Sequence, residues 1–210
     1  MSHPGSCLDG VASLVGDASV WINLAATGRA EGILRSAPVR FAITTTALGE
    51  LDAGRPKGRQ AAILVAELIE AGLIDEVALG PDDEAVFLDL VAGPTSLTLD
   101  DGEAATIAFA LGAGSVALID ERKATALCSE RYPSLGVLST TDLLFAEPIA
   151  SALAPNGLLE CLFLALSLAR MRIPDRHLAR VCELLGPDRR RQCRSLPAAW
   201  REAAGPRLTG

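Results

Sequence analysis

Histidine and paired cysteines are scarce in this chain of 210 residues. The chain has two histidines, and none of its five cysteines belongs to a Cys-x-x-Cys pair. These numbers exclude a zinc site built on several histidines, and the scattered cysteines do not supply one either. An odd set of dispersed cysteines indicates reduced thiols rather than a disulfide framework, so we expect a cytoplasmic protein.

Leader segments and long apolar runs are also missing. The first ten residues lack the basic and apolar regions of a signal peptide, in line with a cytoplasmic location. The most apolar run, residues 158–168, contains Glu160 and Ser167 and is too short to cross a bilayer, so we expect no membrane partner. No P-loop motif and no Gly-x-Ser-x-Gly motif occur, which argues against a P-loop nucleotide site and an α/β-hydrolase nucleophile.

Aromatic residues make up only 4% of the chain, whereas 50% of it is hydrophobic. A core of Ala, Leu, Val and Ile favours helices around a buried sheet over a sandwich of aromatic-rich strands. Short strand patterns alternate with helical patterns, which predicts an α/β fold with a central parallel sheet flanked by helices. The predicted strands are residues 12–15, 39–44, 115–119 and 136–139, and residues 74–79 fit either a strand or a loop.

Charge is unevenly distributed along the chain, whose net charge is −7. Residues 1–145 contain 9 basic and 20 acidic side chains, whereas residues 146–210 contain 10 arginines and 6 acidic side chains. Strand patterns also stop after Pro148, and helical patterns follow. We therefore predict an acidic α/β domain over residues 1–147 and a basic helical extension over residues 148–210.

Four carboxylates occupy the ends or first turns of predicted elements. Asp17 follows the first strand, Glu50 lies in the helix after the second strand, Glu103 is in the first turn of a later helix, and Asp120 follows the run 115–119. The carboxyl ends of parallel strands share one edge of the sheet, where function tends to lie. Four carboxylates at that edge would repel one another unless a divalent cation bound them, and oxygen ligands favour Mg²⁺ or Mn²⁺.

Each of these acids also has a purely structural interpretation. Asp17 and Asp120 fit the N-cap position of the helix that follows each of them, and Glu50 fits a solvated helix residue. For any one of the three taken alone, the sequence leaves both interpretations open.

Glu103 carries a further signal. Asp100 and Glu103 have the spacing of a capping box, in which Glu103 would bond back to the backbone of Asp100. However, Glu103 shares a helical stripe with Ile107 and Leu111, which predicts that its side chain points inward. A solvated acid would be misplaced there, so we prefer Glu103 to its neighbour Asp101 as the functional residue.

Three segments resemble the PIN-domain ribonuclease family. Residues 16–25, Gly-Asp-Ala-Ser-Val-Trp-Ile-Asn-Leu-Ala, resemble the opening of these proteins, in which Asp-x-Ser/Asn ends the first strand. Residues 99–110, which begin Leu-Asp-Asp-Gly-Glu-Ala-Ala, are similar to the Gly-Glu-Ala helix of one branch. Residues 117–124, Ala-Leu-Ile-Asp-Glu-Arg-Lys-Ala, are similar to the strand and acid that follow. The order and spacing of the three segments agree over about residues 11–145.

The resemblance implies a three-layer fold of helices around a parallel sheet, a site for Mg²⁺ or Mn²⁺, and hydrolysis of RNA phosphodiester bonds. It assigns metal binding and catalysis to Asp17, Glu50, Glu103 and Asp120, with Glu50 the least distinctive match, and it makes Ser19 a support for Asp17. Asp101 and Glu121 are the alternatives for an assigned acid. Many family members are toxins of toxin–antitoxin pairs and many are dimers, so the resemblance implies RNA as substrate, a homo-oligomer, and an antitoxin protein as the partner of a toxin.

Two functions of other classes stay open. One is a PIN-like module that binds or assembles without cleaving RNA. The other is a phosphatase-like enzyme that uses Asp17, although that class typically has a second Asp two residues on, where this chain has Ser19.

Several segments outside the acidic set also have two interpretations. The apolar run 158–168 fits either an interface between subunits or a buried core helix. The basic residues fit either RNA-phosphate contacts or solvated surface. They are Arg55, Lys57, Arg59, Arg122, Lys123, Arg189, Arg190, Arg191 and Arg194.

Overall fold

A parallel sheet forms the centre of the protein. The computed structural model describes residues 6–54, 56–94, 98–154 and 156–202, except for the side chains of Pro56 and Lys57. Its five strands lie in the order β3-β2-β1-β4-β5, and every neighbouring pair is parallel. They are β1 (Ser13–Gly16), β2 (Arg40–Thr44), β3 (Ile74–Val77), β4 (Val116–Leu118) and β5 (Val137–Leu138). The predicted α/β fold, with helices flanking a parallel sheet, is confirmed.

Helices connect the strands and form the C-terminal part. They are α1 (Ala18–Ala26), α2 (Ala30–Ser36), α3 (Thr45–Ala53), α4 (Pro56–Glu70), α5 (Pro81–Val91), α6 (Asp101–Ala113), α7 (Arg122–Arg131), α8 (Thr140–Phe145), α9 (Glu147–Leu153), α10 (Gly157–Leu164), a π-helical turn (Ala165–Ala169), α11 (Asp175–Gln192, broken at Gly186) and α12 (Ala198–Glu202). No single helix in the described ranges is long and apolar enough to cross a membrane, although the bent pair Glu147–Leu153 and Gly157–Ala169 passes the same test of length and composition as a pair.

Two helices have a proline in their first turn. Pro56 begins α4, and Pro148 lies in the first turn of α9. A proline in the first helical turn loses no hydrogen bond, because the amide there has no partner within the helix. After Pro148 the described residues form helices and no strand, as the sequence predicts.

The sheet separates two hydrophobic cores, and the side chains of its strands alternate between them. In β2, Phe41 and Ile43 pack into the larger core and Ala42 into the smaller one. At the end of β4, Leu118 belongs to the larger core and Ile119 to the smaller one. Helices α5, α6 and α7 supply the smaller core, while α1, α2, α4 and the C-terminal helices supply the larger one. Burial on both faces explains the continuous apolar strands.

The C-terminal part contributes to the larger core. Leu162, Leu166 and Leu178 are buried in the same cluster as the strand residues, whereas Leu168 is 52% exposed. Most of the apolar run 158–168 therefore packs within the chain. The division at residue 147 stays a prediction, and in the structure residues from both sides of it share one hydrophobic core.

The chain topology leaves the carboxyl ends of β1 and β4 open at one edge of the sheet. From β1 the chain proceeds outward to β2 and β3, and later continues on the other side of β1 with β4 and β5. Gly16 at the end of β1 is in register with Leu118 at the end of β4. The loops that leave β1 and β4 therefore diverge from neighbouring points, which is where ligands bind in open α/β sheets.

Gly16 tests how tightly this edge is packed. A Cβ at Gly16 would lie 2.8 Å from Nε1 of Trp21, which is buried and donates a hydrogen bond of 3.1 Å to the Gly16 carbonyl. Because the indole has no room to move, Gly16→Ala should lower the free energy of unfolding by about 1–3 kcal/mol in urea denaturation. The control is Gly32→Ala in α2, where the new Cβ meets nothing within 4 Å. It should raise stability by about 0.5–1 kcal/mol, and equal effects of both changes would contradict the tight packing.

Candidate active site

Asp17 is the first residue after β1, and its side chain is only 3% exposed. It occupies the N-cap position of α1, but its carboxylate makes no capping hydrogen bond. Instead, Oδ2 accepts a hydrogen bond of 2.6 Å from the Ser19 hydroxyl. The capping interpretation is therefore right about position and wrong about the bond, so capping does not account for this acid.

Glu103 lies in the first turn of α6 and is 6% exposed, as its helical stripe predicts. Asp100 caps the helix, because its Oδ1 accepts a hydrogen bond of 2.9 Å from the Glu103 amide. A backbone hydrogen bond from Asp100, the other half of the predicted capping box, lowers the pKa of Glu103 but is outweighed by burial. Asp101, beside Glu103, is exposed.

Glu50 joins α3 to the beginning of α6. Its Oε1 accepts a hydrogen bond of 2.8 Å from the amide of Gly102, and the side chain is half-buried. The positive end of a helix favours such a carboxylate. Gly102 permits the approach, because a Cβ there would collide with the Glu50 carboxylate. The interpretation of Glu50 as a solvated helix residue is therefore wrong.

An open cavity of about 750 Å³ lies where these elements meet. Five acidic residues line it, namely Asp17, Glu50, Asp100, Glu103 and Glu121. Lys123 lines the same cavity, and its ammonium donates to the carbonyl of Thr98. Three of the four acids predicted from the sequence thus face one space.

Asp120 lines a smaller cavity of about 180 Å³, which shares Ser19 and Glu121 with the larger one. Its buried carboxylate accepts three hydrogen bonds, from Asn23 Nδ2 at 2.6 Å, from the Thr140 amide at 2.8 Å and from the Thr140 hydroxyl at 2.5 Å. Glu121, not Asp120, holds the N-cap position of α7. The four predicted acids therefore line two adjoining cavities.

The buried acids raise one another's proton affinity. Burial raises the pKa of Asp17 to about 7, and the charges of Asp100 and Asp120 act in the same direction. Burial likewise raises the pKa of Glu103 to about 8, together with Asp100, Asp17 and Glu121. Burial also raises the pKa of Asp120, although hydrogen bonds from Thr140 and Asn23 oppose it. The cavity therefore has an excess of negative charge that a cation would relieve.

The donor set fits Mg²⁺ or Mn²⁺ in chemistry, because it consists of carboxylate oxygens, and five acidic residues line the cavity together with Lys123. Within the part of the chain that is described, no three His, Cys, Asp or Glu side chains lie close enough to hold one ion. Mg²⁺ commonly binds through one or two carboxylates and keeps several waters. Asp17 and Glu103 are the pair that would hold it, because they are buried neighbours at the larger cavity.

Sequence reasoning missed a polar cluster that ties the C-terminal part to the sheet. Asp142 in α8 accepts hydrogen bonds from Ser139, from His177 Nε2 at 2.6 Å and from Arg176. These bonds, the one from Ser139 foremost, lower the pKa of Asp142 to about 2 against the effect of its burial. Arg172 Nη1 donates to the Asp120 carbonyl at 3.1 Å. Arg176 and His177 are 34 and 35 residues from Asp142 in the sequence, so no local motif could have identified these contacts. Only Ser139 and Asp142 have the spacing of a capping box.

The densest basic cluster is largely used within the chain. Arg189 pairs with Glu160 at 2.8 Å, Arg191 pairs with Asp188 at 2.5 Å, and Arg190 is buried. The sequence analysis offered RNA contact or solvated surface for these arginines, and neither interpretation included the ion pairs within the chain. Among the other basic residues of the prediction, Arg55 and the side chain of Lys57 lie outside the described residues.

Comparison with protein-family models, with curated proteins and with solved structures found no match for the chain. The structure thus defines an α/β protein with an acidic cavity at the carboxyl edge of a parallel sheet. Because one such fold serves many functions, the residues of the site, rather than the fold, indicate the function.

The raised pKa values predict how stability changes with pH. In the unfolded chain Asp17 and Glu103 have their usual pKa values of 3.8 and 4.5, against about 7 and about 8 in the folded protein. Between these limits the unfolded chain binds fewer protons than the folded one, so the free energy of unfolding should fall as pH rises. Urea denaturation in chelator-treated buffer should show this decline, and it should level off above the folded-state values.

Removing the charge of Asp17 or of Glu103 should restore the stability that is lost as pH rises. At pH 8, Asp17→Asn and Glu103→Gln should each raise the free energy of unfolding by about 1–3 kcal/mol and flatten the decline. The control Asp75→Asn removes an exposed acid from β3 and should change neither quantity. Loss of stability in both site variants would contradict the like-charge repulsion.

Proposed function

We propose that the chain is a metal-dependent endoribonuclease of the PIN type, which hydrolyses RNA phosphodiester bonds. The observation that carries the proposal is the burial of Asp17 and Glu103 beside one another at one cavity, with the pKa of each raised. These residues are the first and second acids of the motifs that resemble the family most clearly. The parallel sheet between two helical layers agrees with the fold that the resemblance implies.

A purely structural role accounts poorly for these acids. Burying a carboxylate without a compensating partner destabilises a protein, and two such groups together destabilise it further. The hydrogen bonds that lower the pKa values, from Ser19 to Asp17 and from the Asp100 backbone to Glu103, are outweighed by burial. Perturbed carboxylates in a cavity are typical of functional sites, where the energetic cost is offset by binding or catalysis.

Asp17 and Glu103 are the residues that would hold Mg²⁺ or Mn²⁺. When bound, such an ion lowers the pKa of a water and stabilises charge on the phosphate. The Ser19 hydroxyl fixes the orientation of Asp17, and the Gly102 amide fixes that of Glu50. Asp120 is held by three hydrogen bonds, and its charge raises the pKa of Asp17.

The partners follow from the same resemblance. RNA is the proposed substrate, and an antitoxin partner, a homo-oligomer and a cytoplasmic location stay predictions of the sequence. The phosphatase-like alternative is less favoured, because Ser19 supports Asp17 where that class would have a second acid.

A non-catalytic PIN-like binding module is the second candidate. It is favoured by the finding that no three acidic, histidine or cysteine side chains in the described ranges form a ligand set. A calorimetric titration with Mn²⁺ separates the candidates. The nuclease should give a saturable heat that Asp17→Asn abolishes, whereas the module should give none.

Two neighbouring acids of α6 provide a matched test of activity. Asp17→Asn and Glu103→Gln should each reduce cleavage of a fluorescent single-stranded RNA at least about 100-fold, because each removes a charge from the metal-binding pair. Asp101→Asn should leave cleavage within a few fold of the wild type, because Asp101 is exposed. All proteins are treated with chelator and reloaded with Mn²⁺. Undiminished cleavage by both site variants would contradict the assignment, and a larger effect of Asp101→Asn would move the role to Asp101.

A further inference from the structure

Two arginines of the C-terminal part line the smaller acidic cavity. Arg170 and Arg172 face the same space as Asp120 and Glu121. Arg172 is positioned by its hydrogen bond to the Asp120 carbonyl. Arg170 is exposed, and it makes no hydrogen bond or ion pair with the described part of the chain. Arg170 therefore lines the cavity of Asp120 and Glu121 without an ion-pair partner in the described part of the chain.

The backbone of Arg170 is unusual. It has φ 62° and ψ 37°, in the left-handed region, and it directly follows the π-helical turn Ala165–Ala169. Every other described residue with positive φ is a glycine. A left-handed conformation costs free energy for a residue with a Cβ and none for glycine. The backbone alone would favour glycine, so the presence of arginine points to a role for its side chain.

Three cavities adjoin along the carboxyl edge of the sheet. The smaller acidic cavity shares Ser19 and Glu121 with the larger one, and it shares Arg172 with a third cavity of about 530 Å³. Along this row the acids become fewer. The third cavity is lined by Arg172, Arg176 and Asp175, together with the half-buried Tyr132.

We propose that Arg170 and Arg172 bind RNA phosphates beside the acidic cavities, so that the C-terminal part forms one wall of the substrate groove. The inference rests on the proposed ribonuclease function for the identity of the ligand. A polyanion is repelled by the acids and needs positive charge next to them, and guanidinium groups bind phosphates in a bidentate manner.

Arg170→Gly separates binding from folding, because the two effects should have opposite signs. Binding of a short fluorescein-labelled single-stranded RNA to the full chain is measured by anisotropy in EDTA, which prevents metal-dependent cleavage. The variant should bind about tenfold more weakly at low salt. The slope of log K against log salt concentration should become shallower by about 0.7, the value for one lost phosphate contact on a single strand. Its Tm should rise, because glycine suits the left-handed backbone.

The matched control is Arg40→Ala. Arg40 is an exposed arginine at the amino end of β2, on the opposite edge of the sheet from the cavities. The substitution Arg40→Ala removes the same charge and should leave the RNA affinity and the salt dependence of binding unchanged. Equal RNA binding by Arg170→Gly and Arg40→Ala would overturn the proposal, and so would a wild-type protein that does not bind the RNA at all.

Cleavage in Mn²⁺, measured in parallel, distinguishes this inference from the proposed function. If the wild type binds RNA in an Arg170-dependent manner but does not cleave it, the proposed substrate groove is supported and the ribonuclease function is rejected. If Arg170→Gly cleaves and binds RNA as the wild type does, the ribonuclease function is supported and the role of Arg170 in the substrate groove is rejected.

Discussion

The parallel pairing of β1 with β4 is the constraint on which the site depends. It aligns Gly16 with Leu118, and the Asp17 amide donates to the Leu118 carbonyl at 3.1 Å. Asp17 and Asp120 are thereby brought close together although they are far apart in the sequence. Because β1 and β4 lie where the chain changes direction across the sheet, the helices that follow them do not cover this edge. The acids are thus buried by their neighbours yet open to a cavity.

The amino end of helix α6 supplies the second half of the site. Its amino end lies against α3, and its first amides are satisfied by carboxylates from two places, Asp100 and Glu50. Both carboxylates stabilise the positive end of the helix. Asp100 also brings negative charge next to the buried Glu103. The capping of α6 by Asp100 is therefore part of the reason why the pKa of Glu103 is raised, although burial contributes most.

The sequence predicted what depends on local periodicity. The strand segments and the inward stripe of Glu103 were predicted correctly, because each follows from the geometry of one element. The bonds of Asp120 to Asn23 and Thr140 were missed, although Asn23 lies within a segment that the sequence analysis singled out. They depend on which strands become neighbours, and periodicity within one segment carries no information about that.

The C-terminal part differs in charge from the preceding residues, and composition alone predicts a basic extension there. In the structure, Arg172 donates to the Asp120 carbonyl, and Arg176 and His177 contact Asp142. These two acids lie in the segments that follow β4 and β5, so the C-terminal part reaches the carboxyl edge of the sheet. An arginine beside a carboxylate stabilises both groups, since each provides the opposite charge that the other lacks. The contrast in charge along the chain therefore also acts across the fold, between two parts that share one hydrophobic core.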